Sequence, residues 1–216
     1  MPLQLYSLSG SPFGWKVQLA LEHLGVPYAT TMLSPDRGDL REANFLALNP
    51  HGKLPVIVDR ETTLYESEVI VEYLEDAHPR SGASLWPRPV AARALARRVA
   101  AEVSAYVYPP LRVLVTRWAG RPGPDLDRAT LDDSKRAIAE QLEILAPSVA
   151  DDFVAADRPG AADYALYPLV ALLNRLDARR PGETLTALIP PELRAWSSRI
   201  EALAYFARTC PPHWKV

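Results

Sequence analysis

Residues 53–66, KLPVIVDRETTLYE, constrain the fold more than any other stretch. Two β-prone runs, LPVIVD and TLYE, flank the polar turn RET. A turn that short leaves no room for a crossover helix, so the two strands must pair antiparallel. Upstream, LQLYS alternates as a half-buried strand should, and SPFGWKVQLALEHLG places Val17, Ala20, Leu21 and Leu24 on one helical face. Gly25 stops that helix as a C′ residue and Pro27 breaks the chain after it. YATTML follows as another β-prone run.

DLREANFLALNP reads as a short, irregular helix, and ESEVIVEYLEDAHP puts Ile70, Tyr73, Leu74 and Ala77 on one face until Pro79 closes it. The order over about the first eighty residues is βαβαββα, the thioredoxin-like arrangement. HPRSGASLWPRPV then reads as a linker, dense in proline, glycine and serine. Everything after it is helical. AARALARRVAAEVSAYVYPPLRVLVTRW predicts a long helix bent or broken around Pro109 and Pro110, ended by GRPGPD. TLDDSKRAIAEQLEILAPSV carries Ile138, Leu142 and Leu145 in phase, ADYALYPLVALLNRL is apolar enough to be the buried central helix, and PPELRAWSSRIEALAYF is a later one. The expected organisation is an α/β domain over residues 1–80 and an all-α domain over residues 88–216.

Charge and cysteine content remove several function classes. Basic and acidic residues, 24 and 26, are well mixed and leave a net charge of -2, which offers no field for nucleic acid or acidic lipid. The single cysteine, Cys210, excludes an internal disulfide, a four-cysteine zinc site and a C-x-x-C redox pair. His23, His51, His78 and His213 show no metal-ligand spacing, so no metal is expected. The N-terminus lacks a signal-peptide pattern and no apolar run reaches spanning length, so a cytoplasmic, membrane-free protein is expected.

Three stretches carry candidate chemistry. In SGSPFGWKV, Ser11 can cap a helix whose first residue is Pro12, and a hydroxyl at a helix N-terminus can also stabilise an anion. In GKLPV, a cis Leu54–Pro55 bond would turn the Leu54 N–H and C=O outward to pair with an extended peptide, whereas a trans bond leaves an ordinary strand start. In YESEVI, Glu66 and Ser67 open a helix. Their carboxylate, hydroxyl and free N–H groups fit the zwitterionic end of an amino acid, and they equally fit a serine N-cap beside a solvated glutamate.

In order and spacing, SPFGWKVQLALEHLGVPY, NPHGKLPVIVD, LYESEVIVEYL and the helical AADYALYPLV resemble the cytosolic glutathione S-transferase family, in its serine-type, bacterial-like form. The resemblance covers essentially the whole chain. It implies glutathione as cosubstrate with no cofactor, a thioredoxin-like domain that binds it, a helical domain that supplies an electrophile pocket, a homodimer and a role in detoxification. Under it, Ser11 matches the activating hydroxyl, with Tyr6 the rival because other classes use a tyrosine at the end of the first strand. Leu54, before Pro55, matches the residue that pairs with the cysteinyl backbone; Glu66 and Ser67 match the γ-glutamyl site; Lys53 and His51 sit where a basic side chain meets the glycyl carboxylate. Phe13, Tyr106, Pro110, Trp118 and Trp214 are the candidates for the electrophile pocket, and Asp163 reads as structural, in a capping box left incomplete by Gly160. The implied activity is attack by glutathione thiolate on a small hydrophobic electrophile or a peroxide. The alternatives are a glutathione-dependent isomerase and a non-catalytic regulatory or binding protein of the same fold.

Overall fold

β1 (Leu3–Ser7) buries Leu3, Leu5 and Ser7 and turns Gln4 and Tyr6 to its other face, the period of two that its sequence shows. The computed structural model describes residues 2–79, 83–118, 127–149 and 152–214. α1 (Pro12–Leu24) carries the chain back so that β2 (Tyr28–Met32) lies parallel to β1, with Leu3 opposite Tyr28 and Ser7 opposite Met32. β3 (Val56–Asp59) runs antiparallel to β1 and forms a tight hairpin with β4 (Thr62–Tyr65), giving the sheet order β2-β1-β3-β4. α1 packs against α3 (Ser67–Ala77), whose Ile70, Val71 and Leu74 are buried. The irregular segment between β2 and β3 is two 3₁₀ turns, Pro35–Arg37 and Asp39–Arg41, before α2 (Ala43–Leu48). Gly38, at φ 83°, separates the turns and stops them merging into one helix.

In the helical part, α4 (Val90–Glu102) runs into a single π-helical stretch, Val103–Val107, and then into α5 (Tyr108–Trp118). The break expected at Pro109 and Pro110 is therefore a widened turn just ahead of them. Neither proline can donate to the carbonyl four residues back, and the Tyr108 N–H reaches the Val103 carbonyl five residues back instead. GRPGPD lies outside the described residues, as do residues 80–82 of the expected linker. α6 (Arg128–Leu145) is capped by Asp127, which accepts the Thr130 N–H at 2.8 Å. α7 (Ala161–Arg179) is buried at every position from Ala161 to Val170 and packs on α4, α5 and α8 (Pro191–Glu201), as a helix apolar all round must. Asp163 accepts the Gly160 N–H at 2.8 Å, so the half of the capping box that needs no side chain at Gly160 is made.

The chain forms two compact units, one from the residues up to Leu85 together with those from Ala204 on, the other Trp86–Leu203. This departs from the expected 88–216 helical domain. α8 stops at Glu201, short of the Phe206 to which its sequence pattern extends, and α9 (Phe206–Thr209) belongs with the first unit. There Thr209 accepts the Trp15 indole N–H at 2.9 Å, Arg208 pairs with Glu22 at 2.6 Å, and Trp214 meets Trp15 edge-on at 5.4 Å. Among the described residues no helix is long and apolar enough to cross a membrane.

Candidate active site

Register brings the three candidate stretches together. Tyr6 pairs with Val56 and Val56 with Tyr65, so the end of β1, the start of β3 and the end of β4 meet at one end of the sheet. Each strand there leads to or from one of the stretches singled out in the sequence.

After β1, Leu8 to Ser11 form a β-turn closed by the Ser11 N–H on the Leu8 carbonyl at 3.0 Å, with Gly10 at φ 83° in the position that demands glycine. Ser11 is the N-cap of α1 in extended conformation (φ -72°, ψ 123°), with Pro12 next, and its Oγ accepts the Gly14 N–H at 3.4 Å. That bond uses a lone pair and leaves the hydroxyl proton to be donated. Beneath it, Ser7 is buried with no hydrogen-bond partner for its Oγ among the described residues, and a Cβ on Gly14 would lie 2.1 Å from that oxygen. Gly14 is the spacer that lets α1 start over Ser7. Tyr6, the rival donor, is half-buried in the middle strand with its ring 6.4 Å from that of Phe45.

Before β3, Asn49 organises the loop: buried, it accepts the His51 N–H at 3.0 Å and donates to the Lys53 carbonyl at 2.8 Å. The turn passes through Gly52 at φ 59°, leaving the His51 and Lys53 side chains exposed, with His51 edge-on to Tyr65 at 5.7 Å. The Leu54–Pro55 bond is cis.

After β4, Glu66 stands exposed at φ 68°, ψ 110°, a conformation that costs a non-glycine residue of order 1–3 kcal/mol and recurs at ligand clamps. Ser67 is the first residue of α3 and is buried; it is not the N-cap. Its hydroxyl donates to Glu68 Oε2 at 3.0 Å and accepts from Lys16 Nζ at 3.2 Å, and Lys16 pairs with Glu68 Oε1 at 2.7 Å. Burial pushes the Lys16 ammonium below the usual lysine range, opposed by Glu68. Of the electrophile candidates, Phe13 is half-buried with Lys16 Nζ 5.6 Å from its ring centre. On the helical unit Tyr106 is exposed on the π-helical stretch, Pro110 is half-buried, and Trp118 is buried with Lys135 Nζ 5.8 Å from its ring centre. Trp214 faces Trp15 and the Gly10 turn.

Sequence reading missed Lys16, Asn49 and Ser7. Lys16 had a signal, a cation in the apolar run WKVQLAL at a helical spacing that buries Leu19 and Ala20 beside it. Asn49 and Ser7 had none, because a buried asparagine and a loop asparagine look alike in sequence.

At one end a thioredoxin-like sheet gathers a capping serine, a cis-proline loop and a serine-opened helix, and the chain carries a second, helical unit. Residues 5–82 match the family model for the glutathione S-transferase N-terminal domain and residues 103–204 that for its C-terminal domain. Glutathione S-transferase 3 of Zea mays is 28% identical, over 96% of this chain and 93% of its own. A maleylacetoacetate isomerase of Pseudomonas aeruginosa is 31% identical over 80% of this chain and 82% of its own. A solved glutathione transferase family member from Pseudomonas fluorescens, with two glutathione bound, superposes with a TM-score of 0.82 at 25% identity, over 97% and 92% of the two chains. The chain belongs to the glutathione S-transferase family, and it is an enzyme of that family.

Proposed function

We propose that the first unit binds glutathione and that Ser11 holds its sulfur as thiolate for attack on a small hydrophobic electrophile or a peroxide. The observation that carries this is Ser11 capping α1 through a lone pair while keeping its proton to donate, at the helix end where the macrodipole also favours an anion. A free thiol has a pKa of about 8.5. A charge-assisted hydrogen bond contributes about 1.5–3 kcal/mol and a helix N-terminus about 0.3–1 kcal/mol, which together lower that value by about one to three pH units. Thiolate then becomes a major species at neutral pH. Tyr6 lies within strand β1 and not at a helix N-terminus, which favours Ser11. Leu54 offers its backbone to the cysteinyl residue, Ser67 and Glu66 take the γ-glutamyl end, and Lys53 with His51 takes the glycyl carboxylate. On the helical unit we assign the electrophile contact to Tyr106, its exposed aromatic, and we read the chain as a homodimer, which light scattering at micromolar concentration tests.

The deciding experiment follows the ultraviolet absorption of bound glutathione thiolate against pH. Ser11→Ala should still bind glutathione and return the thiol toward its free value. An unchanged lowered value would transfer the role to Tyr6, and failure of wild type to bind would overturn the glutathione reading. A second reading draws on the similarity to maleylacetoacetate isomerases: the same thiolate adds to substrate and then leaves. Product analysis separates the two, since isomerisation consumes no glutathione and conjugation consumes one per turnover.

A further inference from the structure

Lys16 is only 4% exposed, on the second turn of α1, and the activity proposed above does not use it. Burying an ammonium is costly, and a partner whose side chain is 44% exposed, as that of Glu68 is, returns only part of that. Its position explains what the charge is for. The ammonium reaches across from α1 to the first turn of α3, giving one N–H to Ser67 Oγ and another to Glu68. Ser67 Oγ therefore accepts from a cation while its own proton rests on Glu68 Oε2. Glu68 is a carboxylate one hydroxyl away from the place where, in the reading above, another carboxylate must bind. Left unopposed, it would repel that ligand.

We propose that Lys16 is a positioning residue for the α-carboxylate of glutathione's γ-glutamyl group, acting through Ser67 and by neutralising Glu68. When the ligand carboxylate arrives, the Ser67 hydroxyl rotates its proton from Glu68 to the ligand, and the Lys16 bond to Oγ stays and polarises the hydroxyl into a stronger donor. Glu68, half-exposed, replaces the lost donor with water. The inference rests on the glutathione reading and adds a residue that binds no ligand atom directly.

The test is calorimetric titration of wild type, Lys16→Met and Lys16→Met/Glu68→Gln with two ligands, glutathione and 4-aminobutanoyl-cysteinyl-glycine, which lacks only the γ-glutamyl carboxylate. Lys16→Met should weaken glutathione by about tenfold or more and the analogue by less than about twofold, the loss of one charge-assisted contact. The double variant should recover at least about threefold of the glutathione affinity, because the repelling carboxylate has gone with its counter-ion. It also guards against misfolding, since it removes both charges of the pair together. Equal weakening of both ligands, or a double variant no better than the single one, would overturn the role of Lys16 and leave the glutathione reading standing. Wild type that binds neither ligand would overturn both.

Discussion

Asp163 should be the most consequential single side chain in the helical unit, and its effect should depend on pH in an unusual direction. Its Oδ1 accepts the Val154 N–H at 2.9 Å and the Trp196 indole N–H at 2.7 Å, and its Oδ2 accepts the Gly160 N–H at 2.8 Å. Asp163→Ala orphans all three donors, two of them on fully buried residues, Val154 and Trp196. At about 1–3 kcal/mol for each unsatisfied buried donor, the loss is about 3–9 kcal/mol. Against this, burial raises the Asp163 carboxyl from 3.8 to about 6, although the three donors pull the other way. That rise is worth about 3 kcal/mol at 1.36 kcal/mol per pH unit, a penalty carried by the ionised form and relieved by the alanine. The net cost at neutral pH is then about 0–6 kcal/mol. Because the folded value lies above the unfolded one, the folded protein binds the extra proton between pH 3.8 and about 6, so the Asp163 contribution is greatest at the acid end and falls as pH rises through that window. Urea denaturation followed by tryptophan fluorescence, at several pH values from 4 to 8, gives the difference between wild type and Asp163→Ala. The difference should shrink by about 3 kcal/mol across that range. A difference that grows with pH would mean the three donors outweigh burial and would refute the reasoning.

Asp59 should behave in the opposite sense. Burial alone would raise its carboxyl, but the bonds from His78 Nε2 at 2.7 Å and the Tyr73 hydroxyl at 3.0 Å hold it below the ordinary value of 3.8. Asp59→Asn should cost about 1–3 kcal/mol near neutrality, with the deficit vanishing as pH falls through the folded value, measured by the same denaturation series. Gly14→Ala should destabilise the first unit by about 1–3 kcal/mol through the clash with Ser7 Oγ, and Ser7→Ala, which removes a hydroxyl with no partner among the described residues, should recover most of it in a double-mutant cycle. Tyr106→Ala should raise KM for the electrophile more than KM for glutathione; equal changes would remove Tyr106 from the pocket.

Much of the sheet was legible because its signals are local. The RET turn forced an antiparallel hairpin, Gly25 and Pro27 ended α1, and period-two alternation set which face of β1 is buried. The helical half was legible as helices but not in its ends or its deviations. Prolines announce a disturbed helix without saying whether the chain bends or widens, and here the helix widens just ahead of Pro109 and Pro110, where the Tyr108 N–H reaches the Val103 carbonyl. The helical pattern read through Phe206 was overridden and the residues after it gave no periodic signal, since what places the tail is Trp15 offering both an indole N–H and a ring face to it.

Sequence by itself determined the types and order of the elements, the serine that starts α1, and the glutamate and serine that start α3, since caps, turns and amphipathic faces are written within a few residues. Tertiary structure alone decided how Ser67 is used. Its hydroxyl faces a lysine fifty-one positions earlier in the chain, and no local pattern encodes that meeting. It arises because α1 and α3 pack together, and a buried charge finds its partner only once packing has excluded water from around both.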